Sequence, residues 1–88
     1  MATTINVRKS ANLWFCKGGS DKVYTVAIYE NQGQFSVNAR WGRRGGHMSE
    51  QTKAETRDYF QAVTVFNNLV NSKLAKGYEQ DGNEGVLF

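Results

Sequence analysis

The sequence predicts a small α+β domain in which an antiparallel β-sheet carries one amphipathic α-helix on one face. Three observations lead to this prediction. Residues 22–30 and 35–41 have the composition and alternation of two neighbouring strands, joined by a short turn at 31–33. Residues 59–74 place apolar side chains three and four positions apart, as on one side of a helix. The chain of 88 residues has the size of one domain.

The N-terminal part predicts a strand, a glycine turn and another strand. Residues 1–12 include a weak alternating signal, and we expect that strand to be interrupted at Arg8-Lys9-Ser10. A short apolar run at 13–16 contains Trp14, which we expect on the sheet face or in the core. The pair Gly18-Gly19 permits the tight turn of a hairpin.

The antiparallel hairpin of residues 22–41 is the clearest local prediction. Its apolar side chains alternate along both strands, at Tyr24, Val26 and Ile28 and then at Phe35, Val37, Ala39 and Trp41. If the pleat continues, Arg43 lies on the same side as Trp41 and Arg40 on the opposite side. Residues 47–53 follow two glycines and predict a further strand from a thin apolar signal.

The helix begins after Asp58, which together with Gln61 resembles a capping box. Lys73 and Lys76 occupy its last turn, where cations suit the helix dipole, and Gly77 suits a left-handed cap. The polar, acidic segment 79–88 shows no period, although its final Val86-Leu87-Phe88 could dock on the body. The expected organisation is a possible N-terminal strand segment at 1–12, a domain at 13–78 and an acidic tail at 79–88.

Net charge is distributed unevenly along the sequence. The formal charge is +3, and all eleven basic residues lie at or before Lys76. Positions 1–78 carry these eleven against five acidic residues, a net +6. Such an electropositive body favours an anionic partner. Apolar runs are too short for a membrane span, and the start of the chain does not resemble a signal peptide. We therefore expect a cytoplasmic protein with no membrane partner.

Catalytic and metal-binding motifs are not evident in the sequence. His47 is the one histidine and Cys16 the one cysteine, in unrelated local contexts. One imidazole without further ligands does not make a metal site, and there is no phosphate-binding loop of the G-x-x-x-x-G-K type. We expect a non-enzymatic protein with no cofactor, no metal and no catalytic residue.

Residues 38–47 combine the parts of a nucleic-acid contact. Arg40, Arg43 and Arg44 supply guanidinium groups for phosphate, Trp41 supplies a ring for stacking, and Gly42 removes a side chain beside them. The same residues are also compatible with a protein-protein interface or with a buried Trp41 beside solvated arginines. Spacing alone leaves these three alternatives open.

The motif Trp41-Gly42-Arg43, followed by Gly45, resembles the signature of the WGR domain family. Three further segments resemble the family pattern in the same order, namely Asp21-Lys22-Val23-Tyr24, the helix positions Ala62 and Phe66, and Lys73 with Lys76-Gly77-Tyr78. The resemblance covers about residues 13–78. It implies a compact antiparallel sheet with one packed helix, which agrees with the independent prediction.

WGR domains occur in DNA-dependent poly(ADP-ribose) polymerases and as modules of bacterial proteins, and are generally regarded as nucleic-acid binding. The resemblance implies that Trp41 packs against a sugar at a DNA end, that Arg43 makes DNA and inter-domain contacts, and that Lys53 contacts DNA. We therefore expect a backbone-binding site of Trp41, Gly42, Arg43, Arg40, Arg44 and Lys53, with DNA favoured over RNA. A protein partner on the same surface is the alternative.

Two residues depart from the family pattern. Asp21 stands where an asparagine is usual, and a carboxylate near phosphate is unfavourable. Arg44 stands at a position that is usually apolar and adds a charge beside the motif. Because no polymerase domain accompanies the motif in this sequence, ADP-ribosylation does not follow from the resemblance.

Overall fold

A computed structural model describes residues 6–80, which form a five-stranded sheet and one helix. The elements are β1 (Asn6–Lys17), β2 (Ser20–Asn31), β3 (Gln34–Arg43), β4 (Met48–Thr56), α1 (Tyr59–Ala75) and β5 (Glu79–Gln80). The strand order is β4-β3-β2-β1-β5, and every pair is antiparallel. This architecture confirms the predicted α+β class.

Strand β1 is longer than the sequence predicts. It continues through Arg8-Lys9-Ser10, so the expected interruption there is wrong. The cross-strand register shifts between Val7 and Lys9, which makes Arg8 the extra residue of a β-bulge. The Arg8 guanidinium pairs with Glu30 of β2 at 3.0 Å. β1 therefore stays paired with β2 through this polar triplet, although in the sequence alone the triplet resembles the end of a strand.

The β2–β3 hairpin confirms the predicted alternation. Tyr24 lies opposite Trp41, Val26 opposite Ala39, and Ile28 opposite Val37. The turn residues Gln32 and Gly33 have φ angles of 55° and 79°, which suit the twist of a two-residue hairpin loop.

Helix α1 is held at both ends by capping interactions. The Asp58 carboxylate accepts a hydrogen bond from the amide of Phe60 at 2.9 Å. The reciprocal half of the predicted capping box does not form, because the Gln61 carbonyl accepts instead from the Thr56 hydroxyl at 2.7 Å. That hydroxyl in turn accepts from the Asp58 amide at 3.0 Å. Thr56 thus links the two halves of the cap.

The C-terminal end of α1 confirms Gly77 as its left-handed residue, with φ of 101°. The Gly77 amide donates to the carbonyl of Leu74, and the Tyr78 amide donates to the carbonyl of Lys73, each at 3.1 Å. These two bonds form a Schellman motif, which reverses the chain at once. The reversal brings β5 beside Leu13 and Trp14 of β1.

The core lies between α1 and one face of the sheet. Phe66 and Ala62 of the helix are buried against the apolar row of β2 and β3. Among residues 6–80, the buried cluster consists of Ala11, Leu13, Tyr24, Val26, Ile28, Val37, Ala39, Ala62, Phe66 and Val70. Trp14 lies outside this cluster and is partly buried on the other face of the sheet. Of the two positions expected for it, the sheet face and the core, it occupies the sheet face.

The polar tail predicted from residue 79 begins with the two residues of β5. The remainder, including the Val86-Leu87-Phe88 segment that was expected to dock on the body, lies outside the described residues. In the part of the chain that the structure describes, no helix is long and apolar enough to cross a membrane.

Candidate nucleic-acid interface

One end of the molecule collects more than half of the basic residues. Because the strands are antiparallel, the end of β1, the start of β2 and the end of β3 meet there, and the last turn of α1 joins them. This end carries Lys17, Lys22, Arg43, Arg44, Lys73 and Lys76. At the opposite end, three cations accompany three carboxylates, Arg8, Lys9 and Arg57 with Glu30, Glu55 and Asp58. The charge is therefore polarised along the strands.

Trp41 is partly buried at this basic end. Its ring lies 6.2 Å from the ring of Tyr24, measured between centroids, and packs against the edge of the core. Its accessible part lines a surface depression of about 350 Å³, together with Ser20, Lys22, Gly42, Arg43 and Tyr78. Trp41 thus both contributes to packing and offers a surface to a ligand.

Lys53 reaches the same face because of a second β-bulge. Val37 pairs with Ala54 while Asn38 pairs with Thr52, so Lys53 is the extra residue of β4. The bulge directs its side chain towards β3, where the ammonium lies 5.1 Å from the Trp41 ring centroid. This geometry is that of a cation–π contact, and it sets a positive charge beside the ring.

Lys73 brings a charge from the helix to the middle of this face. Its ammonium lies 4.7 Å from the ring centroid of Tyr24 and 5.6 Å from that of Tyr78. Burial, and then the nearby charges of Lys76, Lys53 and Lys22, lower the pKa of Lys73 below its usual range. Burial also raises the pKa of the Tyr24 hydroxyl.

Phe15 and Tyr78 complete the row of rings, with centroids 5.5 Å apart. The Lys22 ammonium lies 6.0 Å from the Phe15 ring. A depression of about 270 Å³ here is lined by both rings and by Lys22, Lys73 and Lys76. We call the basic–aromatic surface the set of four rings and five cations that line these depressions, namely Phe15, Tyr24, Trp41, Tyr78, Lys22, Arg43, Lys53, Lys73 and Lys76.

Two of the expected site residues lie elsewhere. Arg40 pairs with Thr25 and Glu50 in the ladder and belongs to the face that the helix does not cover. Arg44 also lies over that face, where its guanidinium pairs with the Asp21 carboxylate at 3.0 Å. The structure thus brings Arg43 and Lys53 to Trp41 but not Arg40 or Arg44.

Gly42 has a packing reason within the fold. A Cβ at this position would overlap the carbonyl oxygen of His47 and would lie 3.0 Å from the sulfur of Met48. The start of β4 therefore crosses the position that a side chain would occupy. This close approach of β3 and β4 explains a glycine here independently of any ligand.

Comparison with family models gives a direct result. The model of the WGR domain matches residues 5–85. The protein belongs to the WGR domain family. A comparison of the sequence with curated proteins found no match. The WGR domain is generally a non-catalytic, nucleic-acid-binding module, and the match extends beyond the 13–78 range of the sequence resemblance on both sides.

The two departures of this WGR domain from the family pattern compensate each other. Asp21 and Arg44 form an ion pair, and the Arg44 amide also donates to the Asp21 carbonyl at 2.8 Å. The carboxylate that is unfavourable near phosphate is thereby neutralised by the added arginine. Both groups are turned away from Trp41.

Sequence reasoning did not assign six members of the basic–aromatic surface of the WGR domain to the site, namely Phe15, Tyr24, Tyr78, Lys22, Lys73 and Lys76. It explained Lys73 and Lys76 as helix-end cations and Phe15 as part of an apolar run. The available signal was that lysines flank aromatic residues at both Phe15-Cys16-Lys17 and Lys76-Gly77-Tyr78.

Among residues 6–80, no group of three or more His, Cys, Asp or Glu side chains could hold a metal ion.

Proposed function

We propose that this WGR domain binds nucleic acid, DNA in preference to RNA, through its basic–aromatic surface. The observation that carries the proposal is the alternation of cations and rings across one face. Lys53 lies on Trp41, Lys73 lies between Tyr24 and Tyr78, and Lys22 lies near Phe15. Ammonium groups attract phosphates, while rings stack on sugars or bases, so the pattern suits a polynucleotide strand.

In this proposal the contacts are mainly to the backbone. Arg43 has a planar guanidinium that can grip a phosphate with two hydrogen bonds, whereas the lysines act as point charges. The face is a shallow set of depressions along a sheet, and it presents no element shaped to enter a major groove. Recognition would therefore depend on strand geometry, including ends, more than on base sequence.

The preference for DNA rests on the resemblance of the Trp41-Gly42-Arg43 motif to that of the DNA-dependent polymerases. Arg44 stays a candidate for an outer phosphate contact, since its side chain is 55% exposed and only one edge faces Asp21. Arg40 lies on the opposite face, so a ligand bound to the basic–aromatic surface would have to pass around the margin of the sheet to reach it.

Fluorescence titration tests this proposal. The protein has two tryptophans, so a Trp14→Phe variant isolates the emission of Trp41. We expect quenching by duplex, nicked and single-stranded DNA at low salt, and weaker binding to RNA of the same sequence. Absence of quenching and of binding for every DNA ligand would contradict the proposal. Binding that resists salt and requires a protein partner would instead support the interface alternative.

A further inference from the structure

Lys73 places a half-buried amine at the centre of the basic–aromatic surface. The side chain rises from the last turn of α1 and lies against the rings of Tyr24 and Tyr78. None of the ion pairs among residues 6–80 involves it, and the charged groups that act on it are the lysines at 22, 53 and 76. It is therefore an amine surrounded by rings and like charges.

This environment gives the amine a larger neutral fraction than that of an ordinary lysine. Burial and the three neighbouring lysines lower the pKa of Lys73. An ordinary lysine with a pKa of about 10.4 is neutral in only about one molecule in 2,500 at pH 7, and each unit of lowering raises that fraction tenfold. Desolvation and an adjacent cation are the two means by which proteins make a lysine nucleophilic towards carbonyl groups.

The amine also faces a space of suitable size. A depression of about 250 Å³ is lined by Lys73 and Trp41, together with Tyr24, Lys53, Leu69 and Ser72. This volume lies below that of pockets for drug-sized ligands and suits a single sugar. Trp41 can pack on such a sugar, while Lys53 can hold its phosphate. A sugar that has lost its base leaves the ring of Trp41 unobstructed.

We propose that Lys73 forms a Schiff base with the aldehyde of an abasic sugar in bound DNA, an inference that rests on the proposed function. The lone pair of the neutral Nζ attacks C1′ of the open-chain sugar, and a C–N bond forms. The two amine protons leave with the carbonyl oxygen as water, so the products are an imine and water. No oxidant or reductant takes part, and hydrolysis returns both reactants.

Borohydride trapping tests this inference, because reduction converts the imine into a stable amine link that survives a denaturing gel. The substrate is a duplex with one abasic site. The variants are Lys73→Arg and, as the matched control, Lys9→Arg, because Lys9 lies at the opposite end of the sheet and outside the basic–aromatic surface. Each retains its positive charge, but only the first removes the proposed nucleophile. We expect trapping to fall about tenfold or more in Lys73→Arg and less than about twofold in Lys9→Arg. Trapping by the unaltered protein should also level off at a lower pH than the residual trapping of Lys73→Arg.

A duplex with a tetrahydrofuran in place of the abasic sugar has no aldehyde and reports binding alone. If the protein binds this duplex but traps the abasic one equally well without Lys73, the inference is wrong and the proposed function stands. The same holds if binding is present and the unaltered protein gives no more adduct than a lysine tripeptide. If no DNA is bound at all, both fail.

Discussion

Replacement of Arg43 by glutamine tests whether the cations of the basic–aromatic surface contact the phosphates of bound nucleic acid. Five cations line it, namely Lys22, Arg43, Lys53, Lys73 and Lys76. If each neutralises one phosphate, the slope of log K against log salt is about −4.5 on duplex DNA. A change from about 50 to 200 mM salt would then weaken binding roughly 500-fold. The site expected from the sequence alone contained four cations, namely Arg40, Arg43, Arg44 and Lys53.

Arg43→Gln removes one of the five contacts, so we expect the slope to flatten by about 0.9. Arg57→Gln is the matched control, because Arg57 is exposed and lies at the opposite end of the sheet, where β4 meets the helix. It lowers the net charge equally but should leave the slope unchanged. The measurement is the titration of Trp41 fluorescence at four or more salt concentrations. Equal slopes for the two variants would show that net charge, rather than this surface, determines affinity.

Three further predictions concern single residues of the same region. Trp41→Ala should lower the affinity for DNA but leave the far-UV circular dichroism of the folded sheet unchanged, because the Trp41 ring is only partly buried. Unfolding of this variant would show that Trp41 serves core packing. Gly42→Ala should lower the free energy of unfolding by about 1–3 kcal/mol in a denaturant titration, because the added methyl meets the His47 carbonyl; an unchanged midpoint would mean that β4 shifts without cost. A phosphate favours protonated Lys73, and the pKa of Lys73 in the free protein is lowered from 10.5, so the affinity for DNA should fall as pH rises through that lowered pKa. The Lys73→Arg variant should lose this pH-dependent step. If its pH profile instead matches that of the unaltered protein, Lys73 does not contact a phosphate.

The parts of the fold that were predictable are those that local pattern determines. The β2–β3 hairpin follows from alternation around Gln32-Gly33, and the helix follows from its apolar stripe between Asp58 and Gly77. The two bulges at Arg8 and Lys53 were not predictable, because an extra residue in a strand is defined only against the strand opposite.

The candidate site was predictable around the motif but not across the sheet. Trp41 and Arg43 share a strand, so the pleat alone places both on one side. Lys73 joins them because α1 packs on the sheet, and Tyr78 joins them because the Schellman turn brings the chain after α1 back onto β1. The pairing of Asp21 with Arg44, which are 23 positions apart, likewise depends on the β2–β3 register.

The bulge at Lys53 has a consequence for the solubility of the protein. β4 ends the sheet order on one side, and in the sheet formed by residues 6–80 no strand pairs with its outer edge. A flat, regular edge strand is a template on which another chain can add. The extra residue kinks this edge, and Glu50, Lys53 and Glu55 set charges along it, so that edge-to-edge polymerisation is disfavoured. Deleting Lys53 would therefore restore a continuous ladder and expose the protein to aggregation as well as removing a charge beside Trp41.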